Sequence, residues 1–212
     1  MGRARALQNA GTRLMAPLSE PFDKFGEMFA RARTELPREC FPDSNAMSLA
    51  TVGTDGRPSN RIVLLKAFDE RGFVFYTNFE GRKGAELLGN PCCALCFHWP
   101  PLELQVRIEG HAEQVTPAEA DAYFATRARA SQLGAWASIQ SRPMENAGDL
   151  ERRLVEFEAR FSGASVPRPQ HWSGFRVVPS HIEFWHGRLS RLHDRTVYDR
   201  DGDTWRVETL YP

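Results

Sequence analysis

The strongest constraint on the fold lies in one stretch, "NAMSLATVGTDGRPSNRIVLLKAFDERGFVFYTN", from Asn45 to Asn78. Three strand-like runs are separated by a turn at Asp55-Gly56 and a second turn ending at Gly72. A parallel pair needs a crossover of a dozen residues or more, which turns this short cannot supply. The stretch therefore predicts antiparallel strands. Two further runs, "PCCALCFHW" and "ELQVRIEGHAEQV", extend the series, and the C-terminal stretch from Ser173 adds more strands with an Asp201-Gly202 hairpin.

Helical spacing appears in three places. Phe22, Phe25 and Phe29 recur at i, i+3 and i+7 after Pro21, one apolar face behind a helix start. "TPAEADAYFATRARASQLGAWASIQS" opens with Thr116 as N-cap, Pro117 at N1 and Glu119 closing a capping box. "NAGDLERRLVEFEARF" puts Leu150, Leu154 and Phe157 on one face, and the Pro-punctuated "SGASVPRPQHW" follows as a linker. No strand–helix–strand alternation supports a parallel sheet. The expected architecture is mainly β, an antiparallel barrel with peripheral helices, in one domain over residues 21–212. Residues 1–20 are expected to form a mobile arm.

A chain of 212 residues with 42% hydrophobic residues can bury a sizeable core. Its 27 basic and 27 acidic residues cancel, so no global field favours nucleic acid or an anionic membrane. No run approaches the ~20 apolar residues of a membrane span. The basic start lacks a secretion signal's apolar core, and Ala6 occupies the Ser/Thr position of a myristoylation motif. A cytoplasmic location is expected. Cys40, Cys92, Cys93 and Cys96 lack paired CxxC spacing, and the histidines form no HExxH, so reduced thiols and no metal are expected. Neither GxGxxG nor GxxxxGK[ST] occurs, which excludes a Rossmann turn or a P-loop.

Three polar clusters remain. Of the 27 basic residues only Lys24, Lys66 and Lys83 are lysines. Lys66 ends the strand "RIVLL", and Thr77, Arg82 and Lys83 follow another strand with glycines flanking the Arg-Lys pair. Such a cluster suits a phosphate, Arg as a fork and Lys as a point charge, or is an ordinary basic turn. On a continuous helix, Tyr123, Arg127 and Ser131 at i, i+4 and i+8 would form one polar stripe able to grip an anion, or a solvent face. Gln132, Gln140 and Ser141 add neutral donors, and Trp136, Trp172 and Trp185 offer flat apolar surface. "GRLSRLHDR", Gly187–Arg195, holds the third cluster, an anion site or a solvated edge. No nucleophile–base pair or carboxylate pair is defensible, so chemistry here belongs to a cofactor.

The motifs "NAMSLAT", "RIVLLK", "GFVFYTN", "RKGAELLGNP", "QVRIEG", "YFATRARASQLGAWAS", "VPRPQHW", "GFRV", "IEFW" and "RLHDR" stand in an order that resembles the pyridoxine/pyridoxamine 5'-phosphate oxidase family from about Pro21 to Pro212. The resemblance implies an FMN-binding split barrel, a homodimer with FMN at its interface. It also implies oxidation of pyridoxamine or pyridoxine 5'-phosphate by O2. By the family's motifs, Arg61, Ile62, Val63, Leu64, Tyr76, Thr77, Arg82, Lys83, Gln105, Gln140, Ser141, Trp185 and Arg195 would hold FMN. Lys66, Tyr123, Arg127 and Ser131 would hold the substrate phosphate, with Arg191, Leu192 and His193 over the pyridine ring. Arg191 and His193 are the implied catalytic residues.

The chain departs from the family pattern at Leu104, Arg142, Ser173 and Thr209, and no Tyr precedes Tyr76 to serve as the family's N-terminal lid. Two rivals differ in what they need. A phenazine-type flavin oxidase would not need the full substrate-phosphate set, and a non-catalytic flavin module would not need Arg191 and His193.

Overall fold

The computed structural model describes residues 14–37, 39 and 42–212. Helix α1 (Glu20–Glu35) places Phe22 and Phe25 against the barrel interior. Phe25 meets Phe68, Phe73 and Phe97 at centroid distances of 4.9, 5.0 and 5.0 Å. Each such phenyl ring contributes about 1.5–3 kcal/mol by leaving water.

Ten strands accompany this helix among the described residues, every pair antiparallel. They are β1 (Leu14–Pro17), β2 (Ala46–Val52), β3 (Pro58–Leu64), β4 (Ala67–Asp69), β5 (Gly72–Asn78), β6 (Cys92–Trp99), β7 (Leu104–Gln114), β8 (Trp172–His186), β9 (Asp194–Asp201) and β10 (Thr204–Leu210). The main order is β1-β10-β9-β8-β7-β6-β2-β3. β8 splits the barrel. One of its edges pairs with β7, while the other pairs first with β5 through Trp172–Val177 and then with β9 through His181–His186. Pro179 and a register shift between Glu109 and Gly110 mark the changeover. A Cβ at Gly110 would run into the Val178 carbonyl, so only glycine lets β7 and β8 approach this closely.

The β1 strand claims four residues that the sequence assigns to the arm, since Leu14–Pro17 pairs with β10. Residues 1–13 and Cys40 lie outside the described residues. Cys92, Cys93 and Cys96 are free on β6, where burial pushes the Cys93 thiol up to about 12.

The remaining helices are α2 (Arg82–Gly89), α3 (Pro117–Ala125), α4 (Arg129–Ala137) and α5 (Asp149–Arg160). α2 has no counterpart in the sequence reading, which places only a basic turn there. The capping box at Thr116 and Glu119 forms as expected. The single helix expected through Tyr123, Arg127 and Ser131 does not form. It breaks at Thr126–Ala128, where Ala128 turns extended (φ −55°, ψ 140°). The freed carbonyls find side-chain donors: Thr126 Oγ1 bonds to Tyr123 O at 2.7 Å and Gln132 Nε2 to Phe124 O at 2.9 Å. α3, α4 and α5 bury a second core of Phe124, Leu133, Ala137, Phe157, Val166 and Trp172.

Candidate functional site

β3 and β5 face the α3–α4 break across a cavity of about 560 Å³. Twelve residues singled out in the sequence reach its wall: Ile62, Val63, Leu64, Lys66, Tyr76, Thr77, Lys83, Tyr123, Arg127, Ser131, Gln140 and Trp172. Asn78 and Ala128 complete it. Ile62 stays 65% exposed because β3 is a sheet edge. Lys66 leaves β3 with its N–H bonded to Val74 O at 2.8 Å, which fixes where its side chain starts. Although Arg127 sits in the helix break and not on a helical stripe, the break itself brings Tyr123, Arg127 and Ser131 to one wall.

Two donor sets occupy this wall. The first is the start of α2, whose N-cap Gly81 (φ −74°, ψ 161°) supplies no side-chain cap. The helix dipole and the first-turn N–H groups there favour an anion. Arg82 N donates to Ser141 Oγ at 3.2 Å, and Lys83 Nζ donates to Gln140 Oε1 at 2.9 Å. A Cβ on Gly81 would lie 2.5 Å from Gln140 Oε1, so glycine admits the glutamine into the cradle. Burial, and then the nearby Arg61 charge, depress the Lys83 ammonium below its ordinary value.

The second set centres on Arg127. Its guanidinium lies 4.7 Å over the Trp172 ring, and burial lowers its pKa. Arg127 Nη1 is buried with no hydrogen-bond partner. A buried unpaired charged donor costs on the order of 1–3 kcal/mol, which an anionic ligand would recover. Tyr76 stacks on Tyr123 at 4.1 Å and on Trp172 at 5.4 Å, forming a flat aromatic wall beside it. Both donor sets fit phosphate monoesters.

The other predicted residues are placed elsewhere within one chain. Arg61 turns to Glu86, Thr51 and Ser59, and the Arg82 side chain also turns to Glu86. Ser141 borders the neighbouring hollow with Arg142. Gln105, Trp185 and Arg195 form a row across β7, β8 and β9, each opposite the next. Arg195 Nε donates to Glu183 Oε1 at 2.7 Å, which raises the pKa of its guanidinium.

His193 lies 4.6 Å from the Trp185 ring and accepts a hydrogen bond from the Arg188 N–H at Nδ1, 3.1 Å away. Arg188, an exposed residue, thus orients this loop. Its side chain holds Asp194 at 2.7 Å. Ser190 and Arg191 adopt φ values of 57° and 62°, a left-handed pair that is costly for non-glycine residues. Leu192 is 68% exposed.

Sequence reasoning passed over Asn78, Glu86 and Glu183. Glu86 stands four residues after Arg82, a spacing that signals an ion pair only once α2 is recognised.

Among the described residues no group of metal-binding side chains occurs, and no helix is long and apolar enough to cross a membrane. Residues 34–161 match the family described as "Pyridoxamine 5'-phosphate oxidase". Residues 172–212 match the "Pyridoxine 5'-phosphate oxidase C-terminal dimerisation region". A pyridoxine/pyridoxamine 5'-phosphate oxidase of Myxococcus xanthus is 58% identical over 200 residues, covering 94% of this chain and 95% of its own. One of Rhodospirillum rubrum is 56% identical over 198 residues, covering 91% and 96%.

Among solved structures, PhzG of Burkholderia lata in complex with tetrahydrophenazine-1-carboxylic acid superposes with TM-score 0.84 at 32% identity, covering 92% of this chain and 93% of its own. A pyridoxamine 5'-phosphate oxidase-related, FMN-binding protein of Nostoc punctiforme shares the fold, with TM-score 0.69 at 19% identity over 90% and 96% of the two chains. The split barrel, the paired donor sets and these matches agree: the chain belongs to the pyridoxamine 5'-phosphate oxidase family.

Proposed function

We propose that this chain is an FMN-dependent oxidase that converts pyridoxamine or pyridoxine 5'-phosphate to pyridoxal 5'-phosphate in the cytoplasm, working as a homodimer. The observation that carries the reading is one cavity with two phosphate-type donor sets, Lys83 at the start of α2 and Lys66, Tyr123, Arg127 and Ser131 around the α3–α4 break. A single phosphate ligand leaves one of these sets unexplained. A cofactor phosphate and a substrate phosphate use both.

FMN, when bound, supplies the two-electron acceptor for the C4' carbon and passes the electrons to O2, giving hydrogen peroxide. For the alcohol, pyridoxine 5'-phosphate and O2 yield pyridoxal 5'-phosphate and H2O2. For the amine, water is also consumed and ammonia leaves. The chain positions and covers the reactants. Lys83, the α2 N-terminus, Gln140 and Ser141 would hold the cofactor phosphate, with Arg61 and Arg82 beside them. The β3 residues Ile62, Val63 and Leu64, together with Tyr76 and Thr77, would line the cofactor.

Arg127 with Lys66, Tyr123 and Ser131 would fix the substrate phosphate. Orientation of this kind supplies several kcal/mol of a barrier in general. Because the Arg188 N–H occupies Nδ1, neutral His193 carries its proton on Nε2 and can donate from there. Arg191 adds a permanent positive charge in the same loop.

The row Gln105–Trp185–Arg195 and the Arg191–His193 loop lie in or beside the segment matching the dimerisation region. We place FMN between two copies, where one copy's cavity meets the other's row. Purified protein should be yellow, and with pyridoxamine 5'-phosphate it should consume O2, release peroxide and form a product with aldehyde absorbance. A colourless dimer that takes up no oxygen with either 5'-phosphate ends the proposal. A tricyclic carboxylic acid serves as the third substrate arm. Its preferential oxidation would favour the phenazine-type alternative, for which the full phosphate-binding set has no evident use.

A further inference from the structure

The mechanism uses cations around the cofactor phosphate but gives no part to the carboxylate that joins two of them. Glu86 lies on α2 one turn after the helix start, with its side chain only 11% exposed. Its Oε1 accepts from Arg82 Nε at 2.9 Å. Its Oε2 accepts from Thr51 Oγ1 at 2.5 Å, Ser59 Oγ at 2.6 Å and Arg61 Nη2 at 3.1 Å. Arg61 is tied further to Thr51 Oγ1 at 2.5 Å and to Leu49 O at 3.2 Å. A single carboxylate thus joins two arginines from different elements, β3 and α2, to two hydroxyls on β2 and β3.

Three like charges, Arg61, Arg82 and Lys83, would otherwise repel at the start of α2. The Arg61 charge already depresses the Lys83 ammonium. An anion in their midst lets them stay close with no ligand bound, and it restricts two long side chains whose free rotation would otherwise have to be frozen on binding.

We infer that Glu86 is a positioning residue for the cofactor phosphate: it holds Arg61 and Arg82 beside the α2 N-terminus so that the phosphate meets an ordered donor set. This rests on the FMN reading of the site and deepens it. In that reading the carboxylate would touch neither cofactor nor substrate. Its effect should fall on the phosphate alone and spare the ring system.

The test compares FMN with riboflavin, which lacks the phosphate, by fluorescence titration of flavin-stripped protein. Wild type should bind FMN far more tightly than riboflavin, and equal binding of the two would overturn the site reading itself. Given that preference, Glu86→Ala should weaken FMN about tenfold or more, leave riboflavin within about twofold, and so shrink the preference. An unchanged preference overturns the inference. A larger preference does so too, since Glu86 would then only oppose the phosphate's charge. If Glu86→Ala does not fold, Glu86→Gln is read by the same ratio. The glutamine keeps an acceptor for Thr51 and Ser59 but loses the ionic hold on both arginines, so its preference should also fall, by several-fold. An unchanged preference in that variant overturns the inference equally.

Discussion

In the proposed reading, single residues divide the site by function. Arg127, with Nη1 buried and unpaired, is poised for an anion. Arg127→Ala should raise KM for pyridoxamine 5'-phosphate roughly tenfold to hundredfold, the range of a charge-assisted hydrogen bond, while flavin content stays unchanged. Steady-state kinetics beside the flavin absorbance ratio checks both halves. Arg191 and His193 stand in a loop whose left-handed residues are strained, so their placement is imposed by the fold. Arg191→Ala or His193→Ala should retain FMN and lose turnover or substrate affinity. If either sheds FMN with substrate handling intact, the assigned division of roles fails.

Glu86 also sets a pH limit. Burial alone would raise its carboxyl, but the hydrogen bonds from Ser59, Thr51, Arg82 and Arg61 outweigh burial and hold it at about 2 against an ordinary 4.5. A carboxyl lowered on folding adds stability that is complete above its unfolded value and disappears as pH falls towards the folded one. Urea midpoints measured from about pH 6 to about pH 3 should therefore drop, and Glu86→Gln should flatten part of that slope.

At the scale of elements, caps and breaks decide where donors stand. The Thr116–Glu119 capping box fixes the start of α3, with Glu119 Oε2 accepting from Thr116 N at 2.9 Å. Thr116→Ala should cost about 1 kcal/mol of stability, read from a urea midpoint. That box was legible because Thr, Pro and Glu at fixed offsets are a local signal. The break after Ala125 was not. "ATRARASQ" contains no Gly or Pro, and its helical propensity gave no reason to stop. Tertiary packing overrode propensity there, with the Arg127 guanidinium set over the distant Trp172 ring, while Gln132 and Thr126, close in sequence, satisfy the loose carbonyls. α2 escaped notice for the opposite reason. Its eight residues contain two glycines, Gly84 and Gly89, and no side-chain cap, so little in the sequence announces a helix.

For the molecule as a whole, the two-sided pairing of β8 is the central fact. It leaves the cavity on one side and the Gln105–Trp185–Arg195 row on the other, both within one chain. In the proposed dimer a second copy's row would complete the cavity. Diluting the protein should release flavin with the same midpoint as the dimer-to-monomer transition, followed by flavin fluorescence and sedimentation in parallel. Flavin retained on a stable monomer would contradict the interface placement.

What the sequence determined was the pattern. Period-two runs with tight turns dictated an antiparallel barrel, phenylalanine spacing dictated α1, and ordered motifs named the family and the residues gathered at the cavity. These signals are local, and local geometry follows from neighbouring residues. Only the tertiary structure decided that β8 would serve two partners, that the helix would break at Arg127, and that Glu86 would hold Arg61 and Arg82. Each of these depends on groups far apart in the chain, Arg61 and Glu86 by 25 residues. Packing, not propensity, brings such groups together.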